Sequence, residues 1–369
     1  MFFQSRREAR ERSIGNGSNQ ISLALIDGKL TPIIDGHISA ERAIYNSDIF
    51  SCINLISADV AAATFKIRNG QDDQLLRVLN HPNRVVNGFS FWQAVLALLL
   101  LNGNAYCVIY RSRFDDSPVK LELLKNEWVD ILQSDDGQEL YYDITFAEDE
   151  RSPIRVDSTQ MLHFRLMSRD GGLTGISPLL ALRSEITLQE QTNKLSLSAM
   201  TSAINPNGIL TLDKALLSEK AKENIRQEFE KSNSGENRGR LMIVDKTMTF
   251  TPTSIDAQVL KVLQQTDWTR KQIAKAFAVP MDMLNQESEH SNIDQIRNLY
   301  ATCLSRYTNP ITSEVTNKLC RGGQSVMLDI SSIVDPDYSQ LETRMYNAVN
   351  NGLYTADEAK GIIAEAKGE

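Results

Sequence analysis

Histidine is scarce in this chain. Four occur in 369 residues, His37, His81, His163 and His290, and none stands at a metal-ligand spacing from another His or a Cys. The four cysteines, Cys52, Cys107, Cys303 and Cys320, are as scattered, which fits buried thiols in a reduced chain better than a disulfide framework or a metal cluster. There is no Gly-x-x-x-x-Gly-Lys-Ser/Thr phosphate loop, and Gly175-Ile176-Ser177-Pro178 fails the Gly-x-Ser-x-Gly nucleophile elbow. The longest apolar run, 94–101, falls far short of the about 20 residues needed to cross a bilayer. Arg6, Arg7, Arg10 and Arg12 interrupt any signal-peptide core behind Met1-Phe2-Phe3. Basic excess is missing too. Lys and Arg number 39 against 47 Asp and Glu, a net charge of −8, which argues against a protein that coats DNA with a basic face but not against DNA passing through ungripped. These absences predict no catalytic residue, no metal, no cofactor and no membrane span.

What is present is a long, ordinary globular composition (41% hydrophobic, 23% charged) with room for more than one domain. The polar segment 1–46, with Gly15-Asn16-Gly17-Ser18, is expected to be a flexible arm. Ile49, Cys52, Ile53, Ile56 and Val60 recur at helical spacing. A short strand at 64–67 follows. Next comes a helix through Trp92, Val95, Leu96 and Leu99, with Ser90 as its cap and Asn102-Gly103 as its stop. Strands are expected at 105–110, 121–124, 129–132, 140–144 and 161–164, separated by Asp/Gly turns, with no βαβ rhythm. The fold class is therefore α+β. His163 falls on an alternating strand and reads as a half-buried structural residue.

Beyond Gly175 the pattern changes. Ser177 and Pro178 open a helix over 178–204 that would run about 40 Å. A compact α/β unit, 205–255, follows, with a strand at 209–212, a charged helix from Ser218 and a hairpin joining 241–244 to 248–251. A second long helix occupies 256–278. The loop 279–292 carries Asn285, Gln286, Glu287, Ser288, Glu289, His290, Ser291 and Asn292, polar and acidic with no catalytic set. A third long helix has the stripe Ile293, Ile296, Tyr300, Cys303, Tyr307, Ile311, Val315, Leu319, with Pro310 inside it to kink it. A strand at 326–330 and two short helices close the chain, the last opened by a Thr355/Glu358 capping box.

Few residues qualify as functional. Lys261, Arg270, Lys271 and Lys275 sit on the second long helix, where dipole complementation explains only the last turn and occasional phosphate contact is the alternative. Lys220, Glu223, Arg226 and Glu230 belong to a charge-balanced helix suited to an exposed, ion-paired face or a protein contact. His290 is the one histidine placed to tune the charge of the loop.

The residues also fall in a familiar order. Cys52-Ile53-Asn54-Leu55-Ile56-Ser57-Ala58-Asp59-Val60-Ala61, His81-Pro82-Asn83, Leu100-Leu101-Asn102-Gly103-Asn104-Ala105-Tyr106, Gly172-Leu173-Thr174-Gly175-Ile176-Ser177-Pro178-Leu179, Ile273-Ala274-Lys275-Ala276-Phe277-Ala278-Val279-Pro280, Ser291-Asn292-Ile293-Asp294-Gln295 and the ending 350–359 together resemble the portal proteins of tailed bacteriophages, in the short family of long-tailed phages and prophages. The resemblance implies a ring, usually of twelve subunits, at one capsid vertex, through which double-stranded DNA is packaged and ejected. By position it implies a mixed α/β wing (47–177 plus the strand near Met327), a two-helix stem (178–204 and 256–278) and a small clip (205–255). It further implies a tunnel loop (279–292), a long kinked helix with the wing return strand (293–335) and a short helical crown (336–369). Implied partners are the terminase large subunit, a head–tail adaptor, and the major capsid and scaffolding proteins. The place is the virion, after the host cytoplasm. Two other readings stay open: a nucleic-acid-processing enzyme using carboxylates as metal ligands, and a capsid or adaptor protein without a channel.

Overall fold

The computed structural model describes residues 12–14, 22–26, 29–33, 40–134, 137–146, 152–204, 208–212, 218–232, 248–252, 266–284 and 293–367. Two compact units divide it: Met1–Arg183 with Gln272–Glu369, and Ser184–Lys271.

The first unit is built around a helix pair and two larger antiparallel sheets, of three and four strands. Helix α1 (Ala40–Ile44) leads to α2 (Ser47–Ala62), which Asn46 caps by accepting from the amides of Asp48 and Ile49. The stripe read from the sequence is its buried face: Ile49, Cys52, Ile53, Ile56 and Val60. Strand β4 (Thr64–Arg68) and α3 (Asp73–Asn80) precede α4 (Gly88–Asn102), which packs along α2 and buries Phe91, Trp92, Val95, Leu96 and Leu99 to Leu101. The cap of α4 is Asn87, whose Oδ1 accepts from Ser90 N at 2.8 Å. Ser90, the expected cap, instead supplies the capped amide in the first turn. Gly103, at φ 76°, ends the helix as expected.

One sheet orders β10 (Met161–Arg165), β5 (Asn104–Arg111) and β6 (Pro118–Leu124). The other orders β1 (Arg12–Ile14), β7 (Val129–Gln133), β8 (Leu140–Ile144) and β9 (Ile154–Asp157). Tyr106, Val108, Leu124, Ile131, Tyr142, Ile144, Val156 and Met161 form one apolar core shared by the two sheets. Within 1–46, expected as a flexible arm, the described elements are β1, paired with β7; β2 (Ser22–Ile26) paired antiparallel with β3 (Lys29–Ile33); and α1. The three residues of β1 are too few to show a period. Strand β9 was also unexpected, because only Val156 of its four residues is buried.

The chain returns to this unit through α8 (Ile293–Leu319), which buries Tyr300, Cys303, Leu304, Tyr307, Ile311, Val315 and Leu319, and stays helical across Pro310. Ile293, the first member of the expected stripe, is exposed. Strand β13 (Ser325–Asp329) pairs with β4 in its own two-stranded sheet. Short α9 (Ser331–Val334), then α10 (Ser339–Asn350) and α11 (Ala356–Lys367), end the chain. The capping box forms as read: Thr355 N donates to Glu358 Oε2 at 2.8 Å and Glu358 N to Thr355 Oγ1 at 3.3 Å. The helix expected to open at Asp335-Pro336 starts instead at Ser339, because the buried Asp335 carboxylate accepts from the amides of Gln340 and Leu341.

The helix expected over 178–204 is divided. Ser177 caps a single 3-10 turn, Pro178–Leu180, and α5 proper is Arg183–Ile204. In the second unit, β11 (Gly208–Leu212) pairs antiparallel with β12 (Met248–Pro252), and α6 (Glu219–Ser232) lies between them in sequence. The expected hairpin partner at 241–244 lies outside the described residues. Of the helix expected over 256–278, α7 (Thr266–Ala276) is described.

Candidate channel and docking elements

The predicted loop residues Asn285, Gln286, Glu287, Ser288, Glu289, His290, Ser291 and Asn292 all lie outside the described residues, and so does Lys261. What the structure places is the two ends of that loop. At its entry, α7 finishes in a Schellman motif: Val279 N donates to Ala274 O at 2.9 Å and Ala278 N to Lys275 O at 3.1 Å, with Ala278 at φ 55°. Alanine in this left-handed region is strained by about 1–2 kcal/mol. The surroundings hold it there. Phe277 and Val279 are buried, and the Phe277 carbonyl accepts from Tyr307 Oη at 2.7 Å and from Cys303 Sγ at 3.7 Å, both on α8. At the exit, Arg297 on α8 bridges Asp335 and Asp337, each at 3.2 Å. Loop entry is thus fastened to α8, and the first turns of α8 are fastened to the segment at Asp335.

Lys271 and Lys275 are exposed, stand one turn apart on α7 and share a face with Trp268, which is half exposed. Arg270 is half-buried and turns about 100° from Lys271. On α6, Lys220, Glu223 and Arg226 are exposed; Arg226 meets Glu223 at 3.2 Å and Lys222 meets Glu219 at 3.3 Å. The side chain of Glu230 lies outside the described residues. Pairs of this kind contribute at most about 0.5 kcal/mol each, so they leave the face polar and available.

The sequence reading missed a buried polar junction just before the 3-10 turn that leads into α5. Asn104 Oδ1 accepts from Gly175 N at 2.7 Å while its Nδ2 donates to Gly175 O at 2.9 Å, tying the loop before Ser177 to the first residue of β5. His163, only 1% exposed, joins the same group: Nε2 lies 3.0 Å from Asn104 Oδ1 and Nδ1 lies 3.1 Å from Tyr142 Oη. Because Asn104 Oδ1 already accepts from a backbone amide, Nε2 must donate to it. Nδ1 then accepts from Tyr142 Oη, which in turn accepts from Arg165 at 3.3 Å. His163 is therefore a fully buried, neutral Nε2–H tautomer rather than the half-buried residue expected from alternation. Burial, then the charges of Arg165 and Lys318, hold its pKa well below 6.5. Glu314 reaches across from α8, accepting from His163 N at 3.0 Å and pairing with Lys318 at 2.5 Å. Gly103 and Gly175 stand where no side chain fits: a Cβ on Gly175 would lie 2.1 Å from Gly103 O, and one on Gly103 would lie 2.4 Å from Ile176 C. The signal was in the sequence, in Asn102-Gly103-Asn104 and Gly172 to Gly175, but only the fold brings the two stretches together.

Cys52, Cys107 and Cys303 are buried free thiols and Cys320 is half-buried. Burial pushes Cys52 up to about 12. Among the described residues no group of three or more His, Cys, Asp or Glu could hold a metal ion, and no helix is long and apolar enough to cross a membrane.

The sequence matches the family model of phage portal proteins over residues 47–363. The chain belongs to the phage portal protein family. It is 22% identical over 302 residues to the portal protein of Enterobacteria phage HK97, covering 75% of this chain and 68% of that one. The neck of a native gene transfer agent particle, computed with C12 symmetry, shares the fold at a TM-score of 0.64 and 19% identity, over 89% of this chain and 93% of that one. An HK97-family phage portal protein from Corynebacterium diphtheriae shares it at 0.58 and 13% identity, over 80% and 96%. These likenesses bear out the expected family and the α+β portal fold.

Proposed function

We propose that this portal-family chain forms a ring at one vertex of a phage-type capsid and conducts double-stranded DNA in both directions, in packaging and in ejection. The observation that carries the reading is the family match across 47–363 together with the shared neck fold. Portal proteins are structural, and the chain's work here is to shape a passage and offer docking faces, with the energy of packaging supplied by a separate terminase.

In this reading 47–177 with β13 is the wing, α5 and the helix ending at Ala276 are the stem, and 205–255 is the clip. The segment 279–292 is the tunnel loop, and the helices after Asp335 are the crown. The ring has twelve subunits. The clip helix, with Lys220, Glu223, Arg226 and Glu230, meets the terminase large subunit and later the head–tail adaptor, while the outer wing meets capsid and scaffolding protein. The chain is made in the host cytoplasm and ends in the virion. A net charge of −8 suits a conduit, since a strongly basic lining would hold a polyanion by counterion release instead of letting it slide. Lys261, Arg270, Lys271 and Lys275 then supply sparse phosphate contacts, and the loop around Glu287 to Asn292 supplies a weakly gripping constriction.

Electron microscopy with mass measurement of the purified chain tests this: rings with a central hole are expected, and a stable monomer with metal-dependent nuclease activity would refute it. In particles, deleting residues 287–291 should leave rings intact and lower DNA packaging or retention. Unchanged packaging and retention would remove the loop from the mechanism.

A further inference from the structure

The last two helices bury almost nothing. Each has twelve residues; α10 has no buried residue and α11 has one, Ala359. Their more sheltered positions form one stripe per helix, Leu341, Met345 and Val349 on α10 and Ala359, Ile362 and Ala366 on α11. Lys367 at the end of α11 reaches Glu342 at the start of α10 at 2.8 Å, so the two run antiparallel and pack chiefly on each other. The far end of this hairpin is open to solvent, with Tyr346 and Leu353 both exposed. Its near end does not fill the space against the rest of the unit. A cavity of about 430 Å³ lies between Leu341 and Ile362 of the hairpin and a floor that includes Thr64, Asn298, Ala301 and Asp329. A void of this size removes the close contacts that would lock the hairpin in place.

The bonds that hold the hairpin down are polar and gather at its base. Buried Asp335 accepts from the amides of Gln340 and Leu341 at 3.3 and 3.0 Å, and so caps α10. The same carboxylate accepts from Arg297 of α8 at 3.2 Å, and Arg297 also reaches Asp337 at 3.2 Å and Ser339 Oγ at 3.1 Å. Gln340 donates to Asp294 of α8 at 3.0 Å. Tyr338, between these partners, is held at φ 55°, a costly setting for an aromatic residue. Glu365 faces Lys66, but that ammonium is already paired with Asp329 at 2.7 Å and is half exposed, so the attraction adds little. The covalent joint between β13 and Asp335 is the single turn of α9.

We infer that α10 and α11 swing as one rigid body about α9, and that Arg297 is the clasp that holds them down over the cavity. Asp335 both caps α10 and receives Arg297, and only the second contact ties the hairpin to α8. Undoing it leaves the cap in place, so the hairpin stays helical while its hold on α8 is lost. A hinged motion needs a body with few buried apolar contacts to its surroundings and a short connector that absorbs the rotation, and both are present. The inference goes beyond the ring reading and does not depend on it.

The test uses the full chain with Cys320→Ser and Ala301→Cys, which places a thiol on the cavity floor, and follows its reaction with a bulky fluorescent maleimide. Adding Arg297→Ala should speed that reaction at least about tenfold, because a largely buried ion pair is broken. Asp337→Asn, at an exposed position, should speed it by less. Two controls separate a swing from unfolding. Buried Cys303, on the same helix, should react as slowly as in the parent chain, and the amides of α10 and α11 should keep their protection in hydrogen exchange. Unchanged labelling at position 301 in Arg297→Ala overturns the clasp. Faster labelling accompanied by lost protection in α10 and α11, or by a reactive Cys303, overturns the rigid swing.

Discussion

Lowering the pH should destabilise this protein through one histidine. His163 is neutral in the folded state, with its Nε2 committed to Asn104 and its Nδ1 accepting from Tyr142, and with Arg165, Lys318 and Glu314 as the charged groups around it. In the unfolded chain it takes a proton near pH 6.5. The unfolded state therefore binds more protons than the native state below that pH, so stability is complete above about 6.5 and falls as the pH drops toward the depressed native pKa. The limiting slope is about 1.4 kcal/mol per pH unit, and integrating it gives a loss of about 2 kcal/mol between pH 7 and pH 5. Asp59, raised by burial despite its bond from Tyr300, contributes with the opposite sign. Asp170, where burial is outweighed by bonds from Ser168, Thr174 and Leu173, titrates at about 2 and loses its contribution only below the ordinary carboxylate range. Urea unfolding of wild type and of His163→Gln at half-unit steps from pH 7.5 to 5 isolates the effect. Gln keeps a donor and an acceptor but cannot titrate. It should cost about 1–3 kcal/mol at pH 7.5, because one junction partner is lost, and should then remove the slope between pH 6.5 and 5. Wild type and variant losing stability in parallel across that window would refute the reasoning.

Two further perturbations probe the neighbouring joints. Ala278→Gly should stabilise by about 0.5–1 kcal/mol in urea unfolding, since relief of the left-handed alanine exceeds the extra freedom glycine gains in the unfolded chain; a loss of stability would mean that the methyl has a packing role. Gly175→Ala should cost at least about 3 kcal/mol, because its methyl meets the Gly103 carbonyl and the Leu166 amide, both backbone atoms, at 2.1 and 2.8 Å. The control Gly361→Ala, whose methyl meets nothing within 4 Å inside α11, should gain up to about 1 kcal/mol, and equal effects at the two glycines would refute the steric account.

Periodicity carried the fold a long way. The stripes of α2, α4 and α8 are their buried faces because each helix has one side against a core and one side in water. It failed where backbone bonding decides. Ser90 and Asn87 are both good caps by composition, and only the chain's approach to α4 selects Asn87. Residues Arg12–Ile14 become a strand because β7 offers them an open edge, which nothing in three residues announces. The long helix foreseen from Pro178 breaks after one 3-10 turn, since Ser177 is also held through its hydroxyl by the Leu100 carbonyl and sets the turn's direction before α5 begins.

The candidate site was legible in a different sense. No catalytic set was found in the sequence. The residues singled out by chemistry, such as Lys271, Lys275 and Arg226, are exposed and simply paired or open to solvent. The residues that position the working parts are small or neutral: Gly103, Asn104, His163, Gly175, Ala278 and the Phe277 carbonyl. Their role depends on what lies opposite them in space, so residue type and spacing cannot reveal it. Asn104 shows this most directly. It looks like a helix-stop residue beside Gly103, yet its amide bonds both backbone polar atoms of Gly175, 71 residues away, as well as His163. In the proposed conduit the segment from Gly175 into α5 and the loop after Ala278 have to be held at fixed angles while a stiff polymer passes. In this chain that demand falls on buried hydrogen bonds at two joints, β5 to Gly175 and Phe277 to α8, and each can be weakened by a single substitution without touching a charged surface.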